Sequence, residues 1–286
     1  MFSTLSRPVR EVVTLAPTRG RLHAYRNGFL YAGPVIDVLS QRHSVIICFA
    51  LTCDNLSVWT KTQSLPQVGA VLIAPGYARI DSGGSPIAML DVSPTDYHYR
   101  ALAQAAAECR EWPRAHFAPI FDEMEAFRSG HTPPTKVGPL WRRFLELALE
   151  LVPAVKPLDP RVREVMRMLR EEPGRPVEDL ARAVDLSVDW LRHLFVTEAA
   201  IPLRKYEMTL RLQTAAAHIG NGTSLTQVAA NAGFADLAHF SKLWKLHYGY
   251  PPRRAFAGDA VKIDSTSLSR FEATPPGVET LAGPSR

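Results

Sequence analysis

The period of the apolar positions changes near residue 93. Before it, short runs rich in Val, Ile and aromatic residues at 28–31, 35–39, 44–51, 56–60, 70–74 and 86–92 are separated by Gly, Pro, Asn and Asp. Six such runs at that spacing predict a small antiparallel barrel or double sheet. After Pro94 the spacing becomes helical, over 97–110, 116–127 and 140–151, the last with Phe144, Leu145, Ala148 and Leu151 on one face. Pro153, Pro157 and Pro160 then make 153–160 a semi-stiff linker.

Beyond the linker one apolar pattern occurs twice. Leu180, Ala181, Val184, Leu186, Leu191, Leu194 and Phe195 match, in order, Val228, Ala229, Ala232, Phe234, Phe240, Leu243 and Trp244, with one extra residue in the second turn. Ser187 and Asp236 stand as N-caps, each four residues before a buried anchor, Leu191 or Phe240. Gly233 supplies the left-handed conformation that ends a helix. Each copy therefore reads as helix, tight turn, helix, the arrangement that places a second helix in the DNA major groove. Between the copies, Pro202 to Ile219 fit one long helix, with Pro202 in its first turn and Gly220-Asn221-Gly222 ending it. At 1.5 Å per residue that helix spans about 27 Å, comparable with the ~34 Å between major-groove contacts on one face of DNA.

The aromatic residues Phe195, Tyr206, Phe234, Phe240 and Trp244 lie on the apolar stripes and belong to the core, where they aim other side chains. Opposite Leu191, Leu194 and Phe195 lie Asp189, Arg192 and His193, with Trp190 beside them. Arg192 can donate to guanine, and Asp189 can accept from a cytosine amino group or favour the helix N-terminus; the alternative is a solvated helix face.

Residues from about 160 to 257 resemble the DNA-binding domain of the AraC/XylS family of transcription regulators. The shared features are Leu180-Ala181, Arg211-Leu212, Val228-Ala229, Gly233-Phe234, Phe240-Ser241 and Gly249 with Pro252. Two departures concern local packing: Ala200 stands where the family usually has Gly, and Trp244 where it usually has Phe. The resemblance implies that Leu237, Ala238, His239, Ser241 and Lys242 approach bases or phosphates. Leu237 and Ala238 offer only apolar contact to thymine methyls.

The first half resembles, less specifically, the cupin-like sensor and dimerisation half of many such regulators. Residues 68–76 look like the cupin strand that ends in Pro75-Gly76, but no His follows where metal-binding cupins place a ligand. His23, His43 and His98 lack metal-ligand spacing, so neither metal nor cofactor is expected. A metal-free barrel of this kind encloses a small-molecule pocket, with Tyr31, His43, Trp59, Tyr77 and Arg79 as candidate lining; Arg79 suits an anionic ligand.

Composition adds limits. The 286 residues are 46% hydrophobic, enough for two packed domains. The net charge is +5, and residues 156–257 hold 15 Lys and Arg against 11 Asp and Glu, an excess compatible with phosphate contact. Cys48, Cys53 and Cys109 have no CxxC spacing, which argues against a zinc knuckle, a disulfide framework and the cysteine cluster of a DNA-repair protein. The longest apolar run, 45–51, is too short to span a bilayer, and no signal segment is evident, so a cytoplasmic location is expected.

The expectation is an α+β chain. Residues 1–20 form an N-terminal arm, 21–152 a β-rich cupin-like barrel with dimerisation helices, 153–160 a linker, 161–257 an all-α domain with two helix-turn-helix motifs joined by a long helix, and 258–286 a disordered tail. Such a chain is a ligand-responsive, DNA-binding transcription regulator and not an enzyme. Its expected partners are double-stranded DNA, a second copy, a small-molecule effector and RNA polymerase. The opposed reading, a cupin-fold enzyme with a helical appendage, requires a metal or acid/base cluster that the sequence does not display.

Overall fold

The computed structural model describes residues 20–25, 27–218, 222–256 and 262–264. The first half contains two sheets. The larger has the order β10-β7-β4-β9-β2-β1-β11 and the smaller β3-β8-β5-β6. The strands are β1 (Arg21–Tyr25), β2 (Gly28–Pro34), β3 (Val38–Arg42), β4 (Val45–Ala50), β5 (Leu56–Trp59), β6 (Ser64–Val68), β7 (Ala70–Ile73), β8 (Gly76–Asp81), β9 (Pro86–Val92), β10 (Cys109–Trp112) and β11 (Lys262–Asp264). All pairings are antiparallel except that of β11 with β1.

Strand β4 is buried at every position, because the larger sheet is covered on both sides. Ile46 and Cys48 face the smaller sheet, where they meet Val58, Ala78 and Ile80. Val45, Ile47 and Phe49 face the helices. There Phe49 stacks on Phe117 at 5.0 Å and meets Phe144 edge-on at the same centroid distance. Of the two arrangements the spacing allows, the observed one is the double sheet.

The helices of this half are α1 (Tyr99–Ala106), α2 (Phe121–Ser129) and α3 (Pro134–Leu149), with a 3-10 segment at Arg114–Ile120. The helix expected over 97–110 is corrected: it ends at Ala106, and Cys109–Trp112 pair with β7 instead. Strands β1, β6 and β8 go beyond the six expected runs. Strand β6 carries Pro66 on an exposed edge, where the missing N–H is tolerated.

The second half is helical: α4 (Pro160–Glu171), α5 (Val177–Ala183), α6 (Val188–Ala199), α7 (Leu203–Ala216), α8 (Leu225–Asn231), α9 (Leu237–Tyr248) and α10 (Pro252–Phe256). The long connecting helix α7 is shorter than the sequence suggests. Pro202 is its N-cap, and its 14 residues span about 21 Å. Of its expected end, Ile219, Gly220 and Asn221 lie outside the described residues, while Gly222 has φ 69°; 1–19 of the expected arm and 258–261 and 265–286 of the expected tail also lie outside them. Within that tail, 262–264 run beside β1 as a strand.

Buried apolar residues form three clusters. One lies between the two sheets. A second runs without interruption from the helix-covered face of the larger sheet through α1, α2 and α3 into α4, α5, α6 and the first part of α7. The third contains Leu212, Ala215, Val228, Ala229, Phe234, Phe240 and Trp244, and joins the second helix-turn-helix to the end of α7, with Tyr248 packed against both it and the cluster between the sheets.

Candidate nucleic-acid interface

The two turns are built alike. In the first, Leu186 N donates to Ala181 O at 3.0 Å; in the second, Phe234 N donates to Ala229 O at the same distance. The residue before each donor has positive φ, Asp185 at 55° and Gly233 at 73°. Ser187 then caps α6 by accepting from Trp190 N at 3.2 Å, and Asp236 caps α9 by accepting from His239 N at 2.7 Å. The added residue of the second copy falls between the buried Phe234 and the cap.

Capping and core fix which faces look outward. On α6, Leu191 and Phe195 are fully buried, while Asp189, Trp190, Arg192 and His193 are exposed. Trp190 keeps 54% of its surface accessible, a large aromatic area without a packing role, and its ring lies 5.8 Å from that of His193. Arg192 Nη1 stands 3.4 Å from Asp189 Oδ1, an exposed pair weak enough to be exchanged for another partner. On α9, Phe240 and Trp244 point inward; Ala238, His239 and Lys242 are exposed, and Leu237 and Ser241 are half-buried. Lys245 and Leu246, and on α6 Val196 and Thr197, share these open faces and were not singled out by the sequence. Their signal was available: each lies three or four residues beyond a residue that was.

Helix α7 links the copies physically. Leu212 enters the core of the second copy, and Arg211 Nη1 donates to Gly233 O at 3.1 Å, fastening the helix to the second turn. The Arg-Leu pair of the sequence thus has two jobs, one polar and one apolar.

The second copy also meets the first half of the chain. Arg42, at the end of β3 and buried, stands 3.2 Å from Asp91 on β9 and donates to Tyr248 O at 3.4 Å. Its guanidinium lies over the rings of Phe29 and Tyr248. Burial pushes the Asp91 carboxyl upward, opposed by Arg42 and by the Ser44 hydroxyl, which donates at 2.6 Å. Gln213 Nε2 donates to Ser93 Oγ at 2.8 Å and Thr95 Oγ1 at 2.9 Å. Gly249 ends α9 with φ 85°, and a Cβ there would fall 2.8 Å from Leu39 O, so glycine serves both the cap and the close approach to β3. Beside this joint is a cavity of about 290 Å³, lined among others by Tyr25, Phe29, Asp91, Gln213, Trp244 and His247.

The five candidate ligand residues do not surround one space. Trp59, Tyr77 and Arg79 lie on the outer face of the smaller sheet, where the Arg79 guanidinium sits 4.9 Å over the Trp59 ring and pairs with Asp37. Alternation in β8 buries Ala78 and Ile80 and turns Tyr77 and Arg79 outward. Tyr31 is on β2, with its hydroxyl donating to Pro34 O at 2.7 Å and its ionisation pushed up by burial. His43 sits at the joint between the halves. Among the described residues no group of three or more His, Cys, Asp or Glu stands close enough to hold a metal ion, and no helix is long and apolar enough to cross a membrane.

Comparison with known proteins agrees with this geometry. The family model of a helix-turn-helix domain matches residues 180–257, which take in both turns. A curated relative, the uncharacterised HTH-type transcriptional regulator YidL of Escherichia coli K12, is 30% identical over 100 residues, covering 33% of this chain and 34% of its own. The matched part thus spans about a third of that relative. Over most of the chain the fold is similar to ToxT of Vibrio cholerae: a 1.65 Å structure has TM-score 0.51 and 10% identity, covering 81% of this chain and 98% of that one. A structure of ToxT from strain O395 has TM-score 0.50 and 11% identity, with 84% and 97% covered.

Proposed function

We propose, from the helix-turn-helix domain matched over residues 180–257 and its resemblance to the AraC type, that this chain is a sequence-specific, DNA-binding transcription regulator whose first half senses and relays a signal. The observation that carries the reading is the pair of capped helices α6 and α9, each with a buried aromatic side and an exposed polar side, held on one connecting helix. Asp189, Trp190, Arg192 and His193 would meet one major groove, and Leu237, Ala238, His239, Ser241 and Lys242 the next. The protein carries out no chemistry of its own in this reading. Its effector would enter the cavity beside the interdomain joint, because a ligand there touches both halves and can favour one arrangement of them over another. A second copy and RNA polymerase complete the assembly at a promoter, and the site of action is the cytoplasm.

The test is selection of bound sequences from a random duplex pool, followed by affinity measurements with single variants. Loss of a base-directed contact in Arg192→Ala should cost about 1–3 kcal/mol and relax preference at one position. Lys242→Ala should act elsewhere in the site, and where it removes a phosphate contact the slope of log affinity against log salt falls by roughly one unit. Failure to enrich any sequence would contradict the proposal. Sedimentation of the free chain as a monomer at working concentration would remove the dimer.

A further inference from the structure

The groups that fasten the second recognition helix to the first half include two imidazoles. His43, between β3 and β4, and His247, in the last turn of α9, meet edge to face with ring centroids 5.1 Å apart. His247 is buried, and its Nδ1 has no hydrogen-bond partner among the described residues. His43 Nδ1 stands 3.1 Å from Thr209 Oγ1 on α7. Because the Thr209 hydroxyl donates to Lys205 O at 2.9 Å, it accepts from His43, which fixes the proton of the neutral ring on Nδ1.

The charges around this pair leave no place for a further cation. From β3 comes the buried Arg42, and from α7 the Lys205 ammonium, both repelling a protonated imidazole. The nearby carboxylate, Asp91 of β9, is already engaged by Arg42 and Ser44. Tyr248 and Tyr250 are held neutral, their ionisation pushed up by burial. Burial, with the Lys205 ammonium and against a hydrogen bond to the Lys205 backbone, pushes His43 down to about 4, and burial, with His43 and Arg42, takes His247 well below the ordinary range.

We propose that the contact of Arg42 and His43 with His247 and Tyr248 is an acid-sensitive latch, closed while both imidazoles are neutral and released when they take up protons. The device lies in the joint itself and is independent of what the exposed faces of α6 and α9 bind. The sign follows from linkage. In the closed joint the rings stay neutral, whereas in an opened joint each titrates near the ordinary 6.5, so protons bind preferentially to the open form. The closed form holds its full advantage above that value and loses it as pH falls towards about 4. At pH 5.5 each histidine shifts the balance towards opening about tenfold, and the two together about a hundredfold.

Hydrogen exchange of the full chain, corrected for the intrinsic pH dependence of amide exchange, reads the joint directly. Between pH 7.5 and 5.5, protection of the last turn of α9 and of residues 38–44 should fall about a hundredfold, while α6 keeps its protection. In His43→Gln and in His247→Gln the fall should be about tenfold, and in the double variant absent. His43→Gln alters a half-buried position and keeps the test open if the His247 variant does not fold. An unchanged α9 in the parent protein at pH 5.5 would overturn the proposal, as would the same acid response in His43→Gln as in the parent.

Discussion

The two helix-turn-helix copies share one plan and differ in how they are attached. The first has no core of its own: Leu191, Phe195 and Tyr206 belong to the apolar cluster that continues through α1, α2 and α3 onto the larger sheet. The second closes its own core around Phe234, Phe240 and Trp244, and meets the first half through Arg42, His43, Ser93, Thr95, the tight passage at Gly249 and a single shared aromatic, Tyr248, which packs against both that core and the cluster between the sheets. Apolar burial is non-directional and hard to reverse locally, whereas a few buried polar contacts can be made or broken together. The first copy is therefore built as part of the core of the first half, and the second as a separate unit tied to that half through the joint.

The strongest challenge to this contrast is to empty each core separately. Phe195→Ala and Phe240→Ala remove fully buried rings, and each should cost about 3–5 kcal/mol. The first should weaken the main unfolding transition of the chain, read by urea denaturation. The second should unfold α8 and α9 ahead of the rest, read by loss of exchange protection confined to 225–248. A single shared transition in both variants would show that the cores are not separate.

Arg42→Met comes next, because it leaves the Asp91 carboxylate buried without its cation, a loss of about 3–5 kcal/mol. Removing both charges, as Arg42→Met with Asp91→Leu, should restore most of the stability but leave α9 less protected, which separates the ion pair from the joint. Smaller effects test the local plan of the copies. Ser187→Ala and Asp236→Ala should each cost about 1 kcal/mol by uncapping α6 or α9. The left-handed residues give opposite signs: Asp185→Gly and Ala200→Gly should raise stability by up to about 1 kcal/mol, and Gly233→Ala should lower it by a similar amount. Thermal unfolding distinguishes these.

Periodicity and capping made the helical half legible. The matched apolar series, Ser187, Asp236 and the one-residue difference between the turns all stand where the sequence places them. In the first half, the long apolar runs such as β4 and β9 are visible because burial on both faces leaves β4 without a polar interruption and β9 with one, Asp91. Strand β8 was not, since Gly-Tyr-Ala-Arg-Ile-Asp alternates with small and charged residues and reads as a turn with a stray arginine. Strand β10 was hidden behind a helical run because only its pairing with β7 decides between the two. The joint could not be read at all: Arg42 and Tyr248 are 206 positions apart, and neither carries a local pattern that names its partner. Similarly, Tyr31, His43, Trp59, Tyr77 and Arg79 suit a pocket by type, yet their faces depend on register and on which sheet each strand joins.

Footprinting of the full chain on a selected site, with Arg192→Ala and Lys242→Ala beside the parent protein, tests most directly whether the two copies read successive grooves. The parent should protect two patches on one face of the duplex, roughly one turn apart. Each variant should weaken a different patch and leave the other in place. One patch only, loss of the same base pairs in both variants, or binding indistinguishable from the parent in both would contradict the two-groove account and leave the exposed faces of α6 and α9 as solvated surface.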